Sequence, residues 1–148
     1  MNLPFCRLVP LDRYNWEQVL EVKITPEQER FTPSILYSLA QARFENLQAF
    51  GVEYADQIVG MVMYGEFSGL CWISRVFIDH EFQRKGIGSK AVKLLVEQLQ
   101  GSIRCKEIRS SYDPLNLAAA GLYKSLGFQE MENGLEDEVV VKYVKSFV

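Results

Sequence analysis

The stretch Ile78-Asp79-His80-Glu81-Phe82-Gln83-Arg84-Lys85-Gly86-Ile87-Gly88 decides how the chain is read. It joins a β-prone run, Leu70 to Ile78, to an amphipathic run, Gly86 to Gln100. Trp72, Ile73, Val76, Phe77 and Ile78 favour a strand in the first. In the second, Ile87, Ala91, Leu94, Leu95 and Leu99 make an apolar helical stripe, while Lys90, Lys93 and Glu97 face elsewhere. Gly86 and Gly88 lack Cβ atoms, so the backbone can turn tightly and let a ligand approach. The first N–H groups of the helix have no partner within it, and together with the helix dipole they suit a phosphate. Arg84, Lys85 and Lys90 add positive charge. The glycines alone fit a bare strand-to-helix turn equally well. The dinucleotide fingerprint is not excluded, because Ala91 can replace its third glycine, but it belongs directly after a first strand, and here the polar segment 79–84 intervenes. The Walker pattern is absent.

Outward from this turn, Phe5 to Val9 is a strand candidate and Tyr14 to Val22 a helix carrying Trp16, Val19 and Leu20. Pro26 and Pro33 bracket a polar break, Glu27 to Arg30. A second helix runs from about Ser34 to Asn46, with Leu36, Leu39, Ala40 and Phe44 along one side. Gln48 to Tyr54 and Ile58 to Tyr64 form a hairpin around Ala55-Asp56-Gln57, and Gly65 to Gly69 is a further turn. Downstream, Ile103 to Tyr112 reads as a strand and Asn116 to Leu126 as a helix stopped by Gly127. Phe128 to Met131 and Glu138 to Val144 close the chain as an antiparallel pair. The order β-α-α-β-β-β-α-β-α-β-β predicts a mixed α/β sheet, antiparallel early and with helical crossovers later.

The 148 residues, 48% of them hydrophobic, suit one domain over 1–148 with its own core; no linker or repeat divides them. A net charge of -3 argues against a dedicated nucleic-acid binder and permits a cationic small-molecule partner. No run is apolar enough to span a membrane and no signal pattern opens the chain, so a cytoplasmic location is expected. Cys6, Cys71 and Cys105 form no metal pattern and read as small buried hydrophobes; His80 is the only histidine, so no metal site is expected.

The segment Ile78-x-x-x-x-Gln83-x-x-Gly86-x-Gly88 resembles motif A of the GNAT acetyltransferase superfamily, with His80 where that family often has proline. Asn116-x-x-Ala119-x-x-Leu122-Tyr123-x-x-Leu126-Gly127-Phe128 looks like its motif B. The likeness runs from about Gln48 onward. It implies the GNAT fold, acetyl-CoA as cosubstrate and no metal. By the same resemblance, the backbone of Val76, Phe77 and Ile78 pairs with the pantetheine arm. The loop Gln83, Arg84, Lys85, Gly86, Ile87, Gly88 and Ser89 holds the pyrophosphate through the amides from Arg84 onward. Asn116 bonds the pantetheine, Tyr123 sits by the sulfur, and Lys124 lies near the phosphates. Residue spacing agrees: Asn116 suits an N-cap and shares a helix stripe with Ala119 and Tyr123, while Ala118, Leu122 and Leu126 belong to the core. A core tyrosine with a satisfied hydroxyl is the competing reading.

Acetyl transfer to an amine needs a neutral nucleophile, yet a lysine-like amine has a pKa of about 10.4. The site must take a proton from the amine, stabilise an oxyanion with a main-chain N–H, and return a proton to the thiolate, a task for Tyr123. Glu27, Glu29, Tyr37, Glu66, Trp72 and Asp79 are candidates for the acceptor end. Ile24-Thr25-Pro26-Glu27-Gln28-Glu29-x-Phe31, Tyr37-Ser38-Leu39-Ala40, Met63-Tyr64-Gly65 and Trp72-Ile73 resemble bacterial spermine/spermidine (diamine) acetyltransferases. Eukaryotic-type polyamine acetyltransferases carry an acid where this chain has Ser74-Arg75, so Glu66 is the expected proton acceptor. A protein or peptide N-acetyltransferase, a non-catalytic acetyl-CoA-binding module and a nucleotide-binding domain are the alternatives. The family likeness also admits a homodimer, with Val139-Val140-Val141 either at an interface or in the core.

Overall fold

Two tight hairpins set the register of the sheet. In the computed structural model, which describes residues 5–132 and 134–144, strand β2 (Gln48–Tyr54) turns into β3 (Gln57–Phe67) through Ala55 and Asp56, with φ of 51° and 63°. A two-residue loop with both φ values positive follows the natural twist of a hairpin. Ser68 and Gly69, with φ of 54° and 88°, repeat the device between β3 and β4 (Leu70–Ile78). The turn expected over Gly65 to Gly69 is therefore only two residues long. Gly65 stays in the strand because a Cβ there would lie 2.6 Å from Leu47 Cδ2; its smallness serves close packing, not turning.

β1 (Cys6–Pro10) pairs antiparallel with β2. After β4, helix α3 (Ile87–Gln100) crosses over to β5 (Glu107–Tyr112), which lies parallel to β4. Helix α4 (Leu117–Ser125) leads to β6 (Phe128–Glu130), and β7 (Val139–Tyr143) inserts between β5 and β6. The seven strands make one sheet in the order β1-β2-β3-β4-β5-β7-β6, the mixed α/β architecture expected. The strand expected from Ile103 begins only at Glu107, and Ile103 lies 95% exposed in the preceding loop.

The sheet has two covered faces. On one, α3 and α4 bury Val62, Cys71, Ile73, Ile87, Leu95, Ile108 and Tyr123. The buried stripe of α3 is Ile87, Ala91, Val92, Leu95, Val96 and Leu99. Each fully buried large aliphatic side chain in it contributes roughly 1.5–3 kcal/mol. On the other face, Val19, Val22, Met61, Met63 and Phe77 form a smaller core beneath the N-terminal helices.

Those helices depart most from the sequence reading. Tyr14 to Val22 contains a 3-10 helix, Trp16–Glu21, not an α-helix; Val19 is buried but Trp16 and Leu20 are exposed. The supposed polar break is a helix, α1 (Pro26–Glu29), started by a reciprocal capping box between Thr25 and Gln28. In α2 (Ile35–Phe44), Leu36, Ala40 and Phe44 face solvent. The inward residues are Ile35, Ser38, Leu39 and Ala42, equally periodic, with the Ser38 hydroxyl donating to Ser34 O at 2.8 Å. In α4, Ala118 is exposed and Leu122 and Leu126 are half-buried, so Tyr123 is its inward anchor. Val140 and Val141 are buried inside the chain itself. Cys6 and Cys71 are buried and Cys105 half-buried, all as free thiols. Among the described residues no helix is long and apolar enough to cross a membrane.

Candidate active site

The sheet forks at its centre. β4 and β5 pair only from Leu70 to Ile73 against Glu107 to Ser110. Between Ile73 and Arg75 the register of β4 against β3 slips, leaving Ser74 as a bulge. Past it the two parallel strands part. The bulge also places two successive side chains on one face. Ser74 lines a cleft with Gln41, and Arg75 donates to Ser38 Oγ at 3.2 Å and Gln41 Oε1 at 2.9 Å, so both face α2.

Beyond the fork, one edge of β4 is open. The Asp79 N–H donates to Val59 O at 2.8 Å, and the β3 register pairs Phe77 with Met61. Alternation then turns the main-chain groups of Phe77 toward β3 and those of Val76 and Ile78 toward the open side. Val76 and Ile78 fit the expected pairing with an extended ligand, whereas Phe77 supports them from the core, 2% exposed. Gly60 makes this close pairing possible, since a Cβ there would collide with Phe77 O.

The open edge runs into the glycine turn. Asp79 Oδ1 accepts from the Glu81 N–H at 3.0 Å, and its Oδ2 accepts from the Lys23 N–H at 2.9 Å. Gln83 Nε2 donates to Ile78 O and to Gln28 Oε1, each at 2.8 Å. Gln83 thus braces the turn against β4 and α1. Arg84 and Gly86 take left-handed φ values of 62° and 80°, and Gly86 caps α3 with no side chain over its first amides. The N–H groups of Ile87, Gly88 and Ser89 are left for an external acceptor, at the positive end of a helix of 14 residues. Arg84 and Lys85 are exposed beside them and join no ion pair among the described residues; Lys85 Nζ lies 5.5 Å from the Phe82 ring centroid.

α4 delivers Tyr123 to the crotch of the fork. Asn116 caps α4 by accepting from the Ala119 N–H at 3.2 Å, which leaves its amide NH₂ free to donate. Tyr123 is 5% exposed, stacked on Tyr112 with centroids 6.2 Å apart and edge-on to Phe128 at 5.0 Å. Its hydroxyl lies 3.0 Å from Ser110 Oγ, which lies 2.8 Å from Ile73 O. Ile73 and Ser110 are the last β4–β5 pair before the split. Because Ile73 O can only accept, Ser110 gives it its single proton, and Tyr123 donates to Ser110 Oγ. Burial pushes the phenol above its ordinary pKa, while the Ser110 contact pulls it back. The physical sense is that Ser110 can turn its proton to the oxygen once Tyr123 has lost its own.

The residues described belong to a wider pattern. The family model described as the Acetyltransferase (GNAT) family matches residues 14–128. The chain belongs to the GNAT acetyltransferase family. It is 32% identical over 124 residues to a spermine/spermidine N(1)-acetyltransferase of Bacillus subtilis strain 168, covering 78% of this chain and 82% of that one. Two solved structures share its fold. A GNAT family acetyltransferase from Elizabethkingia anophelis with acetyl-CoA bound has a TM-score of 0.69 at 14% identity, covering 93% of this chain and 97% of that one. The PaiA N-acetyltransferase from Thermoplasma acidophilum in complex with coenzyme A also has a TM-score of 0.69 at 14% identity, covering 94% and 98%. The chain is thus an acetyl-CoA-dependent N-acetyltransferase.

The donor side of this acetyltransferase suits its cosubstrate. The Val76 main chain and the Ile78 N–H leave strand positions for an extended amide ligand, and the uncapped helix amides suit a phosphate. Lys124 is exposed beside Tyr123 on the last turn of α4. No cluster of three or more His, Cys, Asp or Glu among the described residues could hold a metal.

The acceptor candidates scatter. Trp72 lines a cleft of about 280 Å³ on the α2 face with Gln41, Glu45, Leu47, Gly65, Phe67 and Ser74. Tyr37 is exposed on α2, within electrostatic reach of Arg75. Glu66 does not join them: it pairs with Cys71, whose side chain enters the α3 core, and directly paired residues share a face. Asp79 spends its carboxylate on two backbone amides as a structural cap, away from the Trp72 cleft. Glu27 and Glu29 lie exposed on α1, which Gln28 ties to the glycine turn and not to the cleft. Sequence reasoning missed Glu45, at the C-cap of α2, and Arg75, because only tertiary packing brings them to the bulge.

Proposed function

We propose that this acetyltransferase transfers the acetyl group of acetyl-CoA to a primary amine of a polyamine such as spermidine or spermine, by direct attack in a ternary complex. The observation that carries the acceptor class is the 32% identity, over most of both chains, to the spermine/spermidine N(1)-acetyltransferase. The chemistry of the α2-side cleft is in keeping with it. Glu45 offers a carboxylate and Trp72 an aromatic face to a distal ammonium, and Phe67 and Leu47 accommodate methylene segments.

In this reading the open edge of β4 and the amides of Ile87 to Ser89 hold the donor, with Arg84 and Lys85 beside the phosphates and Lys124 close by. The free Asn116 amide bonds the pantetheine. The Val76 N–H, fixed toward the fork, donates to the oxyanion that develops as the amine attacks. Burial holds Tyr123 protonated beyond the ordinary phenol range; on transfer its proton swings from Ser110 Oγ to the departing sulfur, while Ser110 turns its own proton to the phenolate. Initial rates of thiol release across an amine panel test the acceptor. Spermidine and spermine are expected to exceed a peptide α-amine by roughly tenfold or more in kcat/KM. A preference for the peptide amine would replace the polyamine reading with a protein N-acetyltransferase.

A further inference from the structure

We propose that Glu138 takes the proton from the attacking amine, with Arg75 forming the opposite wall of the passage by which that amine reaches the fork. The inference rests on acetyl transfer to an amine, as set out above.

The placement follows from the register of β5 and β7. Ser110 pairs with Val141 and Ser111 with Val140. Val141 lies in the core on the α3/α4 face, where Ser110 meets Tyr123. Ser111 and Val140 therefore face α2, and so does Glu138, two residues before Val140. Ser111 is the first residue of β5 beyond the last pair with β4, so this carboxylate stands at the lip of the fork. Glu138 is exposed, and its Oε2 accepts from Ser111 Oγ at 2.6 Å. That one bond fixes the carboxylate while leaving it capacity to accept another proton.

Arg75 faces it from β4. The guanidinium is half-buried, and it spends donors on Ser38 Oγ, Gln41 Oε1 and Ser74 O. Burial lowers its pKa, and Tyr37, Glu138 and Glu45 oppose that shift, so the charge of Glu138 reaches across the fork. The two groups nonetheless form no ion pair. A fixed cation and a carboxylate thus flank the passage without closing it. Arg75 disfavours an ammonium there, and Glu138 receives the proton that the ammonium loses. Arg109 and Lys142 both pair with Glu107, further along β5 and β7. Glu45 lies on the Trp72 side of the bulge, and Glu136 and Asp137 project from the exposed turn before β7.

The proton balance closes. The acceptor ammonium gives one proton to Glu138, which passes it to solvent. The neutral nitrogen forms the N–C bond as the C–S bond breaks, and Tyr123 protonates the sulfur. The acylated nitrogen sheds its second proton, which restores Tyr123. The products are the N-acetylated amine, CoA as free thiol, and one proton in solution.

Glu138→Gln, which keeps an oxygen for Ser111, tests this through the pH profile of kcat/KM. At neutral pH the variant should lose about a hundredfold. The deficit should shrink as pH approaches the amine pKa of about 10, where the free base needs no acceptor. Glu138→Asp should keep part of the activity, and acetyl-CoA affinity should not change in either. A variant equal to wild type at neutral pH, or a deficit that is constant with pH, overturns the assignment. If wild type acetylates a peptide amine and not spermidine, the polyamine reading falls while the same comparison, run on the peptide amine, still decides Glu138. Turnover of no amine at all overturns both.

Discussion

The donor side of the fork comes from one contiguous stretch, residues 76–89, with α4 closing over it. The acceptor side is gathered from α2, the bulge of β4 and the turn into β7, residues far apart in sequence. The proposed donor side offers mainly backbone: open strand groups, uncapped helix amides and the left-handed residues Arg84 and Gly86. The proposed acceptor side offers side chains, Arg75, Glu138, Glu45 and Trp72. In the proposed function backbone recognition suits a cosubstrate that every turnover shares, and the side chains are what select the amine.

Substitutions should separate the two sides. The largest effect is expected at the crotch, where they meet. Tyr123→Phe keeps the packing on Tyr112 and Phe128 but removes the proton, so kcat should fall by about a hundredfold or more while calorimetric acetyl-CoA affinity holds. Equal loss of affinity and turnover would make Tyr123 a structural core residue. Next is Gly86→Val. A β-branched residue at φ 80° is strained, so the donor loop should shift and acetyl-CoA affinity should drop by roughly tenfold or more. An unchanged affinity would remove the glycine turn from the donor side. The smallest effect is expected at Glu66→Gln. Because Glu66 shares the face of Cys71, turnover of spermidine should stay within about twofold of wild type. A large loss would return the proton acceptor to the α3 side and break the division between faces.

The same division explains what was legible in the sequence. The strand-turn-helix form of Ile78 to Gly88, the α3 stripe and the Asn116 cap depend on neighbours within a few residues, and the folded chain agrees with each of these local readings. The N-terminal helices do not work that way. Leu36, Ala40 and Phe44 and the inward set Ile35, Ser38, Leu39 and Ala42 are both periodic, and only docking on Met61, Met63 and Phe77 selects between them. Gly65 looks like a turn signal until Leu47 and Phe67 pack against it. That Ser74 forms a bulge cannot be seen in one strand alone. Its consequence, turning Arg75 to the same face, depends on the register with β3. Glu138 reaches the fork only through pairing between β5 and β7.

Amide hydrogen exchange on addition of acetyl-CoA tests the division between the two sides most directly. The open-edge amides of Val76 and Ile78 and those of Ile87 to Ser89 should slow strongly. The Phe77 amide, already paired with β3, should stay as it was, as should the amides of α2. Protection of Phe77 and α2 with none at Val76 and Ile78 would contradict the account, because the donor would then lie on the face assigned to the amine.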